Sequence, residues 1–319
     1  MEKTTVLITG CSSGIGLALA ARLASDAAQR FKVYATMRDP AKGERLRERL
    51  GGCRADALEV LQLDVTNPRS LADAAQRLQG QRLDVLVCNA GVGLMGPLET
   101  CSEQAMKSVF DVNLFGAVRT IQAFLPAMKR RRAGRIVVSS SIGGLQGGRV
   151  LPHGLPCRAG SRRGGARLSG RRSAPGVPFN SVYCASKFAV EGLCESLAVV
   201  LQPFNVHVTL VECGPVNTSF LDNLQRPDPE GAELQGLDAE TRGLYRRYLR
   251  HCQSLFREAA QDVEEVVQVF LEALSSPRPP LRCLTTQRFA PLARLRLGSP
   301  DGSDFLRAMH AFVFGGEEA

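Results

Sequence analysis

Short apolar runs alternate with segments of helical periodicity over the first 140 residues of the chain. Strands are predicted by the apolar runs at 5–9, 32–36, 58–65, 83–88 and 134–141. Between the first two runs, apolar residues recur at Leu17, Ala20 and Leu23, which indicates a helix. Because continuous apolar strands that alternate with helices form sheets covered on both faces, the pattern predicts an α/β fold with one doubly wound parallel sheet.

A glycine-rich turn, Gly10-Cys-Ser-Ser-Gly14-Ile-Gly16, joins the first predicted strand to the first predicted helix. This arrangement brings backbone N–H groups and a helix N-terminus against a pyrophosphate, as in Rossmann-like domains. Glycine is needed there because the chain turns tightly and a Cβ would meet the ligand. The turn residues expected to bind a dinucleotide are Gly10, Ser12, Ser13, Gly14, Ile15 and Gly16.

The residue after the second strand bears on which dinucleotide is bound. An acidic residue at that position holds the ribose 2′-hydroxyl of NAD, whereas an arginine accommodates the 2′-phosphate of NADP. Arg38 therefore favours NADP(H), although Asp39 follows it and Arg38 could also be a solvated surface residue. Further cofactor contacts are expected at the carboxyl ends of the third and fourth strands, from Asp64, Val65, Asn89, Ala90 and Gly91.

Tyr183 and Lys187 are four residues apart, which places both side chains on one face of a helix. A phenol with a pKa of about 10 is a poor acid–base catalyst at neutral pH. An ammonium group nearby would favour the phenolate and lower that pKa. By itself the pair is a weak signal and is more typical of a half-buried tyrosine and a solvated lysine on an amphipathic helix.

Composition and charge exclude several functional classes. The chain has 319 residues, of which 44% are hydrophobic and 22% charged, as in ordinary globular proteins. No secretory signal and no apolar run long enough to span a membrane is predicted. The ten cysteines form no CxxC pair, so we expect no metal site and reduced thiols in a cytoplasmic protein.

The formal net charge of +9 comes mainly from one segment, residues 148–176. This segment has seven arginines and no lysine or acidic residue, so it contributes +7 and the fold itself is not predicted to bind nucleic acid. Gly, Arg, Pro, Ser and Ala dominate it, which predicts a disordered insertion. We interpret it as translated intron sequence or a gene-model error; an arginine-rich arm for RNA or an acidic partner is the alternative.

Several motifs together resemble the short-chain dehydrogenase/reductase family over residues 1 to about 220. They are the glycine turn with Thr9, Asn89-Ala-Gly91, Asn113, Ser141, Tyr183-x3-Lys187 and Cys213-Gly-Pro215. The resemblance implies that Tyr183 is the proton donor, that Lys187 lowers its pKa and binds the nicotinamide ribose, and that Ser141 bonds to the substrate oxygen. It further implies that Asn113 holds a water that relays protons to Lys187, and that Pro215 contacts the nicotinamide.

Within this family the chain resembles the branch that acts on steroids and retinoids. That resemblance implies NADP(H)-dependent interconversion of a 17-ketosteroid and a 17β-hydroxysteroid, with estrone to estradiol favoured. The expected substrate contacts, besides Ser141 and Tyr183, are Tyr248, His251, Phe256 and Phe289. Relatives specific for phenolic steroids carry a glutamate just after an Ala-Met-His run. Here Ala311 follows that run, so androgen remains open.

Two other readings stay open: a retinol dehydrogenase, and a dinucleotide-binding product that is catalytically impaired because the insertion lies between Ser141 and Tyr183. The expected organisation is one dehydrogenase domain over 1–280, with a substrate lid at 218–256 and a C-terminal tail at 281–319 near the substrate cleft. The resemblance also implies a homodimer.

Overall fold

The computed structural model describes residues 2–51, 56–78, 82–144, 177–289 and 303–314. The predicted insertion at 148–176 lies outside the described residues. Of the predicted tail, residues 281–289 and 303–314 are described.

Seven parallel strands form a single sheet, in the order β3-β2-β1-β4-β5-β6-β7. Their bounds are β1 Thr4–Ile8, β2 Phe31–Met37, β3 Leu58–Gln62, β4 Val85–Cys88, β5 Gly134–Ser141, β6 Val206–Cys213 and β7 Arg282–Leu284. The strand order reverses between β1 and β4, and such a switch point leaves a crevice at the carboxyl ends of the strands. The prediction of a doubly wound parallel sheet is confirmed.

Helices cover both faces of the sheet. They are α1 Gly14–Ala24, α2 Glu44–Leu50, α3 Pro68–Arg77, α4 Glu103–Phe110, α5 Ala117–Arg131, α6 Ser181–Leu201, α7 Ala239–Ala259, α8 Val263–Ser275 and α9 Ser303–Phe314. Helices α1 and α8 pack into one apolar core, and α5 and α6 pack into a second core on the opposite face. Along β1, Val6 and Ile8 belong to the first core and Leu7 to the second, and all three are fully buried.

Asn113 lies where a helical region is divided into two α-helices. A π-helical turn, Asp111–Gly116, separates α4 from α5. Lys129, Arg130 and Arg131 form a basic cluster in the last turn of α5, where positive side chains face the negative end of the helix dipole. The third strand is shorter than predicted and ends at Gln62, because the backbone then turns and Asp64 accepts hydrogen bonds from the backbone and hydroxyl of Thr66.

A smaller third core lies beside the sheet and joins α7 to α9. Tyr245, Tyr248 and Leu249 of α7 pack there with Met309 and Val313 of α9. The second half of the predicted lid is therefore helical, and the apolar face of α7 is covered by α9. None of the helices in the described ranges is long and apolar enough to cross a bilayer.

Candidate functional site

One cavity lies at the carboxyl ends of the strands, where the sheet order reverses. Its volume is about 380 Å³, which is within the range of small-molecule sites. The ends of β1 to β6 form its floor and one wall, and α7 together with residues 218–224 forms the other wall. The glycine turn, the tyrosine–lysine pair and the predicted lid thus face the same space.

The glycine turn has the geometry that a dinucleotide requires. Gly10 and Gly14 have φ angles of +73° and +57°, which favour glycine. A Cβ on Gly16 would lie 2.4 Å from the carbonyl oxygen of Gly10 and 2.6 Å from the amide nitrogen of Asn89. The close approach of backbone in this turn leaves the N-terminus of α1 open to the cavity, so these residues fit a pyrophosphate.

Asn89 fixes the turn to the sheet. Its side-chain nitrogen donates to the carbonyl oxygens of Thr9 and Gly10, at 3.1 and 3.3 Å. Its side-chain oxygen accepts a 3.0 Å hydrogen bond from Ser139 of β5. One amide therefore ties β1, β4 and β5 together beneath the cavity.

Arg38 and Asp39 have different surroundings at the end of β2. Arg38 is exposed and lines the cavity. The carboxylate of Asp39 accepts a 3.0 Å hydrogen bond from the backbone nitrogen of Ala41 and so caps the 3₁₀ turn Pro40–Gly43. Because Asp39 is used as a cap, the arginine is the side chain of this pair that faces the ligand space. Asp64 lines the same end of the cavity.

Tyr183, Ser141 and Lys187 meet on the cavity floor. The hydroxyls of Tyr183 and Ser141 are hydrogen-bonded to each other. The Lys187 nitrogen lies 5.8 Å from the centre of the Tyr183 ring and donates a 2.8 Å hydrogen bond to the carbonyl oxygen of Ser139. The structure thus assembles the three side chains predicted to carry the chemistry, although 42 positions separate Ser141 from Tyr183 in the sequence.

The pKa of Tyr183 shifts in the direction opposite to the prediction. Burial raises the pKa of this phenol well above its usual value, and the hydrogen bond with Ser141 opposes that rise only in part. Burial also lowers the pKa of Lys187, while Cys213 and Glu191 act in the other direction. In this geometry desolvation outweighs the expected effect of the ammonium group, so the phenol stays protonated at neutral pH.

Asn113 lies behind the cavity wall and is nearly fully buried. Its side-chain nitrogen donates to the carbonyl oxygen of Val92 and to the hydroxyl of Ser186, and its side-chain oxygen accepts from the nitrogen of Val92. Both amide hydrogens are therefore engaged with the protein. A relaying water, as the resemblance implies, could bind this residue only at its oxygen atoms.

The predicted substrate residues lie on one side of the cavity. Tyr248, His251 and Phe256 line it from α7. The Tyr248 hydroxyl accepts a 2.9 Å hydrogen bond from Asn180, the residue that precedes α6, and burial raises the pKa of the phenol. Burial lowers the pKa of His251, whose ring meets Phe312 of α9 edge to face at 4.6 Å.

The cavity also contains residues that the sequence did not single out. Phe220 lies with its ring centre 6.0 Å from that of Tyr183, and Asn180 joins the start of α6 to α7. Asn180 carried a signal, since asparagine commonly precedes a helix; Phe220 stands in a polar, irregular stretch and carried none. Of the predicted site residues, Gly16 does not line the cavity, and the side chain of Phe289 lies outside the described part of the chain.

Comparisons with known proteins agree with this geometry. The family described as short chain dehydrogenase matches residues 4–153 and 169–229, and the break between the two pieces falls within the predicted insertion. Human 17-beta-hydroxysteroid dehydrogenase type 1 is 52% identical over 99% of this chain and 87% of its own length. Bovine retinol dehydrogenase 8 is 45% identical over 97% of this chain and 90% of its own. A solved short-chain dehydrogenase from Streptomyces avermitilis superposes with a TM-score of 0.68 at 26% identity, over 97% of this chain and 95% of that one.

Proposed function

The chain belongs to the short chain dehydrogenase family, and from this premise we propose that it is an NADP(H)-dependent 17β-hydroxysteroid dehydrogenase that reduces a 17-ketosteroid. Estrone to estradiol is the favoured reaction. The observation that carries the proposal is the cluster of Tyr183, Ser141 and Lys187, placed between a glycine turn that fits a dinucleotide and an apolar wall. Identity of 52% to a 17β-hydroxysteroid dehydrogenase supports the steroid as substrate.

The hydroxyl pair would act on the ketone oxygen of the substrate. Ser141 and Tyr183 would both donate hydrogen bonds to that oxygen, and Tyr183 would transfer its proton as the alkoxide forms. The raised pKa of Tyr183 supports this direction, because reduction requires the protonated phenol. Bound NADPH supplies the hydride. Lys187 would hold the nicotinamide ribose and replenish the proton through a water on an oxygen of Asn113.

The cofactor is NADP(H), and Arg38 is proposed to bind its 2′-phosphate. Arg38 lines the cavity while Asp39 caps a turn, which is the arrangement expected for a phosphate rather than a free 2′-hydroxyl. The remaining contacts are proposed to come from the residues that line the cavity on the same side, which are Gly10, Ser12, Ser13, Gly14, Ile15, Asp64, Val65, Asn89, Ala90, Gly91 and Pro215.

The far end of the substrate is proposed to lie against α7. His251 and Phe256 line that end of the cavity, and residues 218–256 would form its lid. The His251 imidazole packs edge to face against the ring of Phe312. A steroid that presents a flat apolar ring system with one polar end fits this wall.

A homodimer in the cytoplasm is part of the proposal. Phe115 in the π-helical turn and Val199 of α6 are 50% and 69% exposed, which supports a further contact surface. No disulfide joins the cysteines in the part of the chain that the structure describes, and the proposed compartment is a reducing one.

The second candidate is retinal reduction, which the 45% identity to a retinol dehydrogenase favours. The test is NADPH oxidation with estrone and with retinal, measured on the full chain and on a form that lacks residues 148–176. Turnover of estrone by both forms supports the proposal and makes the segment a tolerated loop.

Activity in the shortened form alone would keep the steroid assignment and identify the full chain as the impaired product. Retinal reduction without estrone turnover would overturn the steroid assignment. Tyr183→Phe is the matched control in each arm, because it removes one oxygen and the proposed proton donor; residual turnover at the wild-type rate would overturn the role of Tyr183.

A further inference from the structure

Helix α6 carries a column of polar side chains at four-residue spacing: Tyr183, Lys187, Glu191 and Glu195. Residues at this spacing lie one above another on one face of a helix. The first two line the cavity, and the proposed reaction uses them. Glu191 is fully buried and lies outside the cavity, so the reaction as described leaves it without a role.

Three successive residues of β5 bind this column. Lys187 donates to the carbonyl oxygen of Ser139, the Ser140 hydroxyl donates to Glu191, and Tyr183 is hydrogen-bonded to Ser141. Glu191 therefore holds the residue that lies between the two β5 residues contacted by the proposed catalytic pair. Any shift of α6 along β5 would break all three contacts together.

One guanidinium balances the carboxylates around this point. Arg282 of β7 donates from Nε to Glu191 at 2.9 Å and from Nη2 to Glu195 at 2.7 Å, and its Nε lies 3.2 Å from Glu212 of β6. Glu212 is fully buried and neither of its carboxylate oxygens has a hydrogen-bond partner. Burial raises the pKa of Glu212 to about 8, so Glu212 holds a proton near neutral pH. Burial also raises the pKa of Glu191, but the hydrogen bond from Ser140 and the charge of Arg282 oppose that rise, which favours Glu191 as the carboxylate that carries the charge.

The charged and titratable groups that face Glu191 come from three elements. They are Lys187, Cys194 and Glu195 on α6, Glu212 on β6 and Arg282 on β7, and Cys213 of β6 faces Lys187. Burial raises the pKa of both cysteine thiols, so they stay neutral. Lys187 is the member of this group that the proposed reaction requires in its charged form.

We propose that Glu191 is a positioning residue that locks α6 to β5 through Ser140 and keeps Lys187 protonated through its negative charge one helical turn away. The proposal rests on the proposed function, because Lys187 is assumed to support the proton transfer from Tyr183. The geometric role is to hold α6 on β5, and the charge role is to keep Lys187 protonated; the two can be tested separately.

The charge is tested without reference to activity. The chain contains only six lysines, so the side chain of Lys187 can be followed by NMR in lysine-labelled protein and assigned with Lys187→Arg. Glu191→Gln is expected to lower the titration midpoint of Lys187 by about one pH unit, the effect of losing a unit charge nearby in a partly screened interior. Glu195→Gln is the matched control: it removes the same group from the same helix and the same arginine, two turns from Lys187, and should leave the midpoint in place.

The geometry is tested by turnover. Glu191→Gln is expected to lower kcat about tenfold, to move the alkaline limb of the kcat profile to lower pH, and to leave KM unchanged, because Glu191 does not line the cavity. Ser140→Ala keeps the Glu191 carboxyl group and removes its hydrogen bond to β5, so it should lower kcat and lower the Lys187 midpoint by less than Glu191→Gln does. It also tests the positioning role should Glu191→Gln fail to fold.

An unchanged Lys187 midpoint in Glu191→Gln, or an equal shift in Glu195→Gln, would overturn the charge statement. Unaltered kcat in Ser140→Ala would overturn the geometric one. If the wild-type chain reduces neither estrone nor retinal, the proposed function fails, and the NMR midpoints still decide the charge of Glu191.

Discussion

Burying Glu212 without a hydrogen bond makes the stability of the fold depend on pH. The folded-state pKa of this carboxyl is about 8, against an ordinary value of 4.5. Below about pH 4.5 the group is protonated in both the folded and the unfolded state, so it does not change the free energy of unfolding with pH. As the pH rises from there toward 8, the unfolded chain releases the proton while the folded chain retains it, so this group progressively favours unfolding.

The size of the effect follows from linkage. Each pH unit within that window changes the free energy of unfolding by about 1.4 kcal/mol, because the unfolded chain binds one proton fewer. Glu212→Gln replaces the carboxyl by a neutral group of the same shape. Relative to this variant, the wild type is expected to lose about 2–3 kcal/mol of stability between pH 6 and pH 8.

Urea unfolding followed by circular dichroism, at half-unit steps from pH 5.5 to pH 8.5, measures this difference. The two stability curves should approach each other at low pH and diverge as the pH rises. Glu195→Gln is the control, since the Glu195 side chain is 40% exposed and its curve should run parallel to that of the wild type. Parallel curves for Glu212→Gln as well would refute the reasoning and place the charge of the cluster on Glu212 at neutral pH.

Three other changes test the site. Gly16→Ala would place a Cβ 2.4 Å from a carbonyl oxygen, so we expect NADPH affinity by fluorescence titration to fall at least tenfold, while Gly192→Ala, which meets nothing within 4 Å, should retain it. Arg38→Glu should shift preference from NADPH toward NADH by about 10- to 100-fold in kcat/KM, and an unchanged ratio would remove Arg38 from the 2′-phosphate. Tyr248→Phe removes the acceptor of the Asn180 hydrogen bond and should cost about 1–3 kcal/mol in urea unfolding; a smaller loss would show that the bond contributes little.

The sheet and the glycine turn could be predicted from the sequence because both depend on local patterns. The apolar strands are short and continuous, and the turn needs glycine at fixed intervals. The pair of Tyr183 and Lys187 was also visible, since a separation of four residues has a simple meaning on a helix.

The cluster around Arg282 could not be found in this way. Arg282 bonds to Glu191, which lies 91 residues away, and its strand β7 has only three residues. In the sequence, Glu191 and Glu212 read as ordinary surface charges, because nothing local reveals that both are fully buried. The predicted direction of the Tyr183 pKa shift was wrong for the same reason. The sequence spacing indicates that a lysine lies near the phenol, but the desolvation of the phenol depends on residues that only the fold brings around it.

The π-helical turn at Asp111–Gly116 implies a conflict between robustness and reactivity in this protein. A π turn holds one residue more than an α-helical turn, and it is less favourable than the regular helix on either side. Deleting one residue there would let α4 and α5 join into one continuous helix, yet would rotate Asn113 by about 100° away from Val92 and Ser186. A change that made this helix regular would therefore remove the contacts of Asn113, which is the trade-off between stability and function expected of an irregular turn beside a site.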